Sequence, residues 1–159
     1  MENHKEPVIV AVSGGFDPIH PGHIRMFKEA RVLGDRLVVI LNNDNWLKHK
    51  KRFNFMSEKE RKEVIESIRY VDGVIITKHS KDSDDTSVCE SLKALKPDIF
   101  ANGGDRKADN IPEYELCKEL GIKMVFNVGQ GGKIQSSSAL VEKAMKAAPR
   151  KVDVKIKKR

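Results

Sequence analysis

The chain has 159 residues, of which 39% are hydrophobic, 33% charged and 6% aromatic. That suits a single soluble globular domain and leaves no room for two full-sized ones. No run approaches the roughly 20 apolar residues of a membrane-spanning helix, and the N-terminus lacks the cationic-then-apolar pattern of a secretion signal, so a cytoplasmic location is expected. The net charge of +7 is unevenly spread: residues 150–159 carry six Lys or Arg against one Asp, which leaves only +2 on the rest. A nearly neutral body argues against a broad surface for a nucleic-acid backbone. Two cysteines, Cys89 and Cys117, are too few for a disulfide scaffold and lack metal-site spacing, and are expected to be reduced thiols.

Five short apolar runs read as strands: Val8–Val12, Leu37–Leu41, Val74–Ile76, Ile99–Ala101 and Met124–Val128. Most are continuous rather than alternating, as strands covered on both faces of a parallel sheet are. Helical spacing fills the gaps. Ile24, Phe27, Ala30 and Leu33 make one stripe, ending at Gly34. Ser57 and Glu60 form a capping box ahead of Val64, Ile65 and Ile68. Val88, Cys89, Leu92 and Leu95 share a face that Pro97 terminates. A fourth helix starts near Pro112, buries Leu116, Cys117 and Leu120, and stops at Gly121. The last runs from about Ser138 through Leu140, Val141, Ala144 and Met145. This alternation predicts an α/β fold, a doubly wound five-stranded parallel sheet with helices on both faces, over residues 1–148, followed by a basic tail at 149–159. In such sheets ligands bind at the carboxyl ends of the strands.

The loop after the first strand runs from Ser13 to His23. Gly14 and Gly15 let backbone approach a ligand with no Cβ in the way, and Pro21 suits a first helical turn. His20 and His23, three apart, face the same anion from the start of that helix, where free N–H groups and the dipole favour negative charge. Neither a dinucleotide fingerprint nor a P-loop is present. A zinc site would need a third ligand, and none has suitable spacing, so no protein-held metal is expected.

The pattern Gly15-Phe16-Asp17-x-x-His20-x-Gly22-His23 resembles the first signature of the cytidylyltransferase-like nucleotidyltransferase family, and the resemblance extends over about residues 8 to 142. Segments 33–39 and 68–75 resemble glycerol-3-phosphate cytidylyltransferase, whereas 96–105 is closer to heptose-1-phosphate adenylyltransferase. The resemblance implies a Rossmann-like fold, a homodimer, a nucleoside triphosphate with Mg²⁺ and a phosphorylated acceptor, with pyrophosphate released. Gly14, Gly15, Phe16, His20, Gly22 and His23 would bind the nucleotide, with His20 and His23 stabilising the charge that develops on phosphorus.

Further loops extend that reading. In the cationic run 48–52, Lys48 and Lys51 are placed by the resemblance on the triphosphate and the acceptor phosphate, Lys51 with a catalytic role; the alternative is a solvated loop. Arg61 and Arg69 match retained positions, with Arg69 assigned to the acceptor phosphate and an ordinary helix-face ion pair as the rival reading. At the fourth strand's end Gly103, Asp105 and Arg106 suit a base or ribose lying against backbone. Ser136, Ser137 and Ser138 offer hydroxyls at a helix N-terminus, a second phosphate cradle or a plain helix cap. Where the cytidylyltransferases carry an Arg-Thr-x-Gly, this chain has Gly131-Gly132-Lys133-Ile134.

The expectation is a nucleotidylyltransferase using CTP, slightly favoured by segment 68–72, or ATP, favoured by Gly103-Gly104-Asp105 and the missing Arg. Its acceptor is a polyol, sugar or headgroup phosphate. The adenylyltransferase alternative is of the heptose-phosphate or FAD-synthetase type. A reading of another class is a non-catalytic nucleotide- or nucleic-acid-binding module using the basic tail, which would also suit an anionic membrane surface.

Overall fold

The computed structural model describes residues 4–104, 106–129 and 135–147. Its elements are β1 (Ile9–Gly14), α1 (Pro21–Arg31), β2 (Arg36–Leu41), α2 (Asp44–Lys51), α3 (Glu58–Glu66), β3 (Gly73–Ile76), α4 (Cys89–Leu95), β4 (Ile99–Gly103), a 3-10 turn (Ala108–Asn110), α5 (Tyr114–Leu120), β5 (Lys123–Val128) and α6 (Ser137–Ala147). All strands pair in parallel, in the order β3-β2-β1-β4-β5. The order reverses between β1 and β4, which places a crevice over their carboxyl ends.

The five apolar runs are the five strands, buried on two faces. On one face Phe27 and Ala30 of α1 and Ile65 of α3 pack with Val10, Val12, Leu37, Val39 and Leu41. On the other, Leu92 of α4 and Cys117 of α5 pack with Ala11, Ile40 and Phe100. Cys89 and Cys117 are both free thiols, and burial pushes the Cys117 thiol up to about 11, so it is an inert core group rather than a nucleophile.

The sequence shows no apolar period over residues 44–51, yet the segment is a helix. Asn43 caps it, its side-chain oxygen accepting from the Trp46 N–H at 3.0 Å, and Arg52 closes it in a left-handed conformation. One fully buried residue, Leu47, anchors it. A single anchor on a cationic surface leaves no stripe to read. The expected capping box of Ser57 and Glu60 is present, and α5 ends on Gly121 at φ 69°, the left-handed cap that glycine favours.

The amino edge of the sheet is closed by three aspartates. Asp35, Asp98 and Asp72 accept the backbone N–H of Val8, Ile9 and Leu37 at 2.7, 2.8 and 2.8 Å. These belong to the segments 33–39, 96–105 and 68–75 that carry much of the family resemblance. Asp72 also pairs with Arg31 at 3.0 Å. Within the segment behind the CTP expectation, Asp72 is therefore a structural pin at the end of the sheet opposite the crevice. Among the described residues no helix is long and apolar enough to cross a membrane.

Candidate active site

The β1–α1 loop is built around two stacked imidazoles. His20 is the N-cap of α1: its Nδ1 accepts from the Gly22 N–H at 3.1 Å, while Nδ1 of His23 accepts from the His20 N–H at 3.2 Å. The rings stack with centroids 3.7 Å apart, and His23 meets the edge of Phe16 on its other side. Since each Nδ1 accepts from a backbone N–H, the proton of each neutral ring sits on Nε2. Gly22 is required by this arrangement, because a Cβ there would lie 2.9 Å from Cε1 of His20. The adjacent glycines, both of which border the cleft, have a second reason besides the one expected. A Cβ at Gly14 would strike the Phe16 ring and one at Gly15 would strike Leu47, so they make room for the protein's own packing.

Both histidines are held in the neutral form. Burial and then the nearby Lys51 lower His20; burial, His20 and Lys51 together bring His23 down to about 3. Each neutral ring thus presents Nε2–H as its hydrogen-bond donor.

The loop opens onto a cleft of about 690 Å³, a size that holds a nucleotide. It is bordered by Gly14, Gly15, Phe16, His20, Gly22 and His23 from β1–α1, and by Lys51 from the end of α2. Gly103 and Arg106 follow β4, and Ser136, Ser137 and Ser138 open α6. Ser136 is a helix cap, its Oγ accepting from the Ala139 N–H at 3.0 Å. The Ser137 hydroxyl donates to the Pro18 carbonyl at 2.8 Å and so ties α6 to the histidine loop. Twelve of the residues expected from the sequence thus share one cleft, drawn from four separate strand ends.

A family model for cytidylyltransferase-like proteins matches residues 11–152. The chain belongs to the cytidylyltransferase-like family. Among its relatives, an FAD synthase of Ferroglobus placidus is 37% identical over 72% of this chain and 70% of its own length. An FAD synthase of Pyrococcus abyssi is 39% identical over 72% and 75% respectively. The bifunctional protein HldE of Helicobacter pylori is 34% identical over 90% of this chain, which spans 28% of that longer protein. A lipopolysaccharide core biosynthesis protein of Thermoplasma volcanium superposes with a TM-score of 0.65 at 27% identity, covering 79% of this chain and all of that one. The chain is a nucleotidyltransferase enzyme with a Rossmann-like fold.

Within this cytidylyltransferase-like site, three expected residues stand elsewhere. Lys48 is exposed on α2 and does not border the cleft. Arg69 follows α3, which runs back toward the amino edge of the sheet. Its guanidinium lies over the Tyr70 ring at 5.3 Å, far from the strand ends that build the cleft. Arg61 is neither a phosphate ligand nor a surface ion pair. It is 1% exposed and bonded to backbone on several sides. Asp17, read as part of the first signature, accepts the N–H groups of Phe55 and Met56 and fixes the segment ahead of α3. Asp105, Gly131-Gly132-Lys133-Ile134 and the tail 149–159 lie outside the described residues.

The cleft also contains residues the sequence reading passes over. Arg25 and Lys50 add cations, and Trp46, Thr86 and Glu113 also line it. Lys50 lies inside the cationic run with nothing to single it out, and Trp46, the chain's one tryptophan, lies in the first turn of α2. Nothing in the sequence marks Glu113, which reaches the cleft from the start of α5.

The depressed histidines carry a pH signature. The unfolded chain takes up protons at about 6.5 and the folded one at lower pH, so stability is undiminished above that value and falls as the medium is acidified. By pH 5, His23 alone is expected to remove about 2 kcal/mol. Urea unfolding at pH 7.5 and 5.0 should show that loss, and His23→Asn should remove much of it; an unchanged loss in the variant would place the sensitivity elsewhere.

Proposed function

We propose that the chain is an adenylyltransferase that moves AMP from ATP to the phosphate of a small acceptor. The observation that carries this reading is the stacked, neutral histidine pair at the start of α1, facing Lys51 and the serine-rich start of α6 across one cleft. An oxygen of the acceptor phosphate attacks the α-phosphorus of ATP. The bond from that phosphorus to the β-bridging oxygen breaks, pyrophosphate leaves with the electron pair, and a new phosphoanhydride joins AMP to the acceptor. No side-chain nucleophile is needed. Nε2–H of His20 and His23 donates to the α-phosphate, and these bonds strengthen as its oxygens gain charge. Lys51, Arg25 and Arg106 offset the charge of two polyanionic reactants. The hydroxyls of Ser136 and Ser138 and the free N–H groups at the start of α6 hold the departing pyrophosphate.

ATP is preferred over CTP because the relatives include FAD synthases and HldE, and because segment 68–72, the sequence feature that favours CTP, does not border the cleft. FAD is FMN joined to AMP, so FMN and a heptose phosphate are the two acceptor types these relatives support. Mg²⁺ enters as part of the nucleotide substrate.

Thermal unfolding with Mg²⁺ and each of ATP, CTP, GTP and UTP tests the nucleotide. ATP at about 100 times its dissociation constant is expected to add roughly 2.7 kcal/mol. A shift confined to CTP would overturn adenylyl transfer, and no shift with any nucleotide would overturn nucleotidyl transfer by this cleft altogether.

A further inference from the structure

Helix α1 bears on the cleft beyond its two histidines. At 1.5 Å per residue, Met26 and Glu29 stand about 4.5 and 9 Å further along its axis than His23. Met26 lies against the ends of β4 and β5: a Cβ on Gly103 would fall 2.8 Å from its Sδ, and one on Gly129 would fall 3.5 Å from its Cα. Gly103, Met26 and Gly129 all border the cleft, whereas Glu29 does not.

The chain leaves β5 by a sharp turn. Asn127 and Gly129 both have positive φ, 56° and 99°, a conformation that persists where neighbouring contacts hold it. Glu29 supplies such a contact: its Oε2 accepts the Gly129 N–H at 2.5 Å, across 100 residues of sequence. Further on, the Ser137 hydroxyl donates to the Pro18 carbonyl. The exit of β5 and the start of α6 are therefore each fastened to the β1–α1 unit that carries the histidines. A carboxylate one hydrogen bond away from a cleft for polyanions gains nothing from its charge there. Its reason is the oxygen it offers to Gly129.

We propose that Glu29 is a positioning residue for the leaving group: by holding the turn at Gly129 it sets the start of α6 at a fixed distance from the histidine pair. This rests on the reading in which α6 receives the pyrophosphate. In-line transfer needs the α-phosphorus and the leaving oxygen placed together, and a small misplacement of either is costly. One helix bearing both the histidines and Glu29 fixes the two places relative to each other, because its rise per residue does not vary. Glu29 touches neither substrate and acts through the Gly129 N–H.

Titration calorimetry of the full chain with Mg²⁺ and ATP, pyrophosphate or AMP tests the assignment, because AMP lacks the part of ATP that α6 would hold. Glu29→Ala is expected to weaken ATP and pyrophosphate about ten-fold and to leave AMP unchanged. A loss of general stability would move all three ligands alike. Glu29→Gln keeps an oxygen for the Gly129 N–H and should bind ATP within about three-fold of the parent. Glu29→Asp keeps the charge but falls one methylene short, and should behave like Glu29→Ala. The contrast between Gln and Asp decides the matter even if Glu29→Ala does not fold. The proposal is overturned if Glu29→Asp keeps the parental ATP affinity, if Glu29→Gln binds ATP as weakly as Glu29→Asp, or if ATP and AMP weaken in equal proportion. In each of those outcomes adenylyl transfer survives; that reading fails separately if the parent chain binds neither ATP nor pyrophosphate.

Discussion

Replacing His20 or His23 by Ala is expected to lower kcat by about 10²–10³-fold, the usual loss when a donor to a developing oxyanion is removed. The two imidazoles are one unit. Nδ1 of His23 accepts from the His20 backbone, Nδ1 of His20 accepts from Gly22, and the rings stack. Each holds the other's Nε2–H in its direction. Loss of His23 leaves a gap between His20 and Phe16, and loss of His20 uncaps α1. The double variant should therefore fall only slightly below the worse single one, as groups acting together do. The fold should persist, because the cap contributes only about 1 kcal/mol. The checks are kcat at saturating ATP and acceptor, with thermal unfolding of each variant alongside. A double variant within ten-fold of the parent kcat would remove the histidines from the mechanism.

Much of the fold is legible because burial on both faces forces continuous Val, Ile and Leu runs, and all five appear as strands. The first loop is equally legible, since a helix start with two histidines three apart has few other uses after a strand. The failures share a cause. A long side chain's destination is set by tertiary geometry that residue type does not display. Lys51 and Lys48 sit three apart on one short helix, yet only Lys51 borders the cleft. Arg69 and Asp72 fall in a family-like segment that suggests function, but Asp72 pins the amino edge of the sheet and Arg69 lies over Tyr70. Glu113 is invisible in the sequence because it comes to the cleft through a tertiary contact, accepting the Val88 N–H, that residue type does not display. The glycine pair reads as space for a ligand, and its second reason, room for Phe16 and Leu47, is a packing fact the sequence does not display.

Arg61→Met is expected to cost about 3–5 kcal/mol of stability, the range for removing one partner from a buried charged network. The parent guanidinium uses every side of its fork. Nε donates to the Met56 carbonyl at 3.1 Å, Nη1 to the carbonyls of Gly15 and Asn42 at 2.8 and 2.7 Å, and Nη2 to Oδ1 of Asp44 at 2.7 Å. One side chain on α3 thereby joins the histidine loop, the end of β2, the start of α2 and the segment ahead of α3. Methionine fills the volume but leaves three carbonyls and a carboxylate without that donor. Arg61→Lys should recover only part, because one ammonium cannot reproduce a planar fork with fixed donor directions. At 2–4 °C per kcal/mol for a domain of this size, Arg61→Met should melt on the order of 10 °C lower. Because Gly15 precedes Phe16 and the histidines, kcat should also fall in the fraction that remains folded. Urea unfolding gives the stability and steady-state kinetics below the melt gives the rate. A stability loss under about 1 kcal/mol, the range of an exposed ion pair, would mean that the four segments hold together without Arg61.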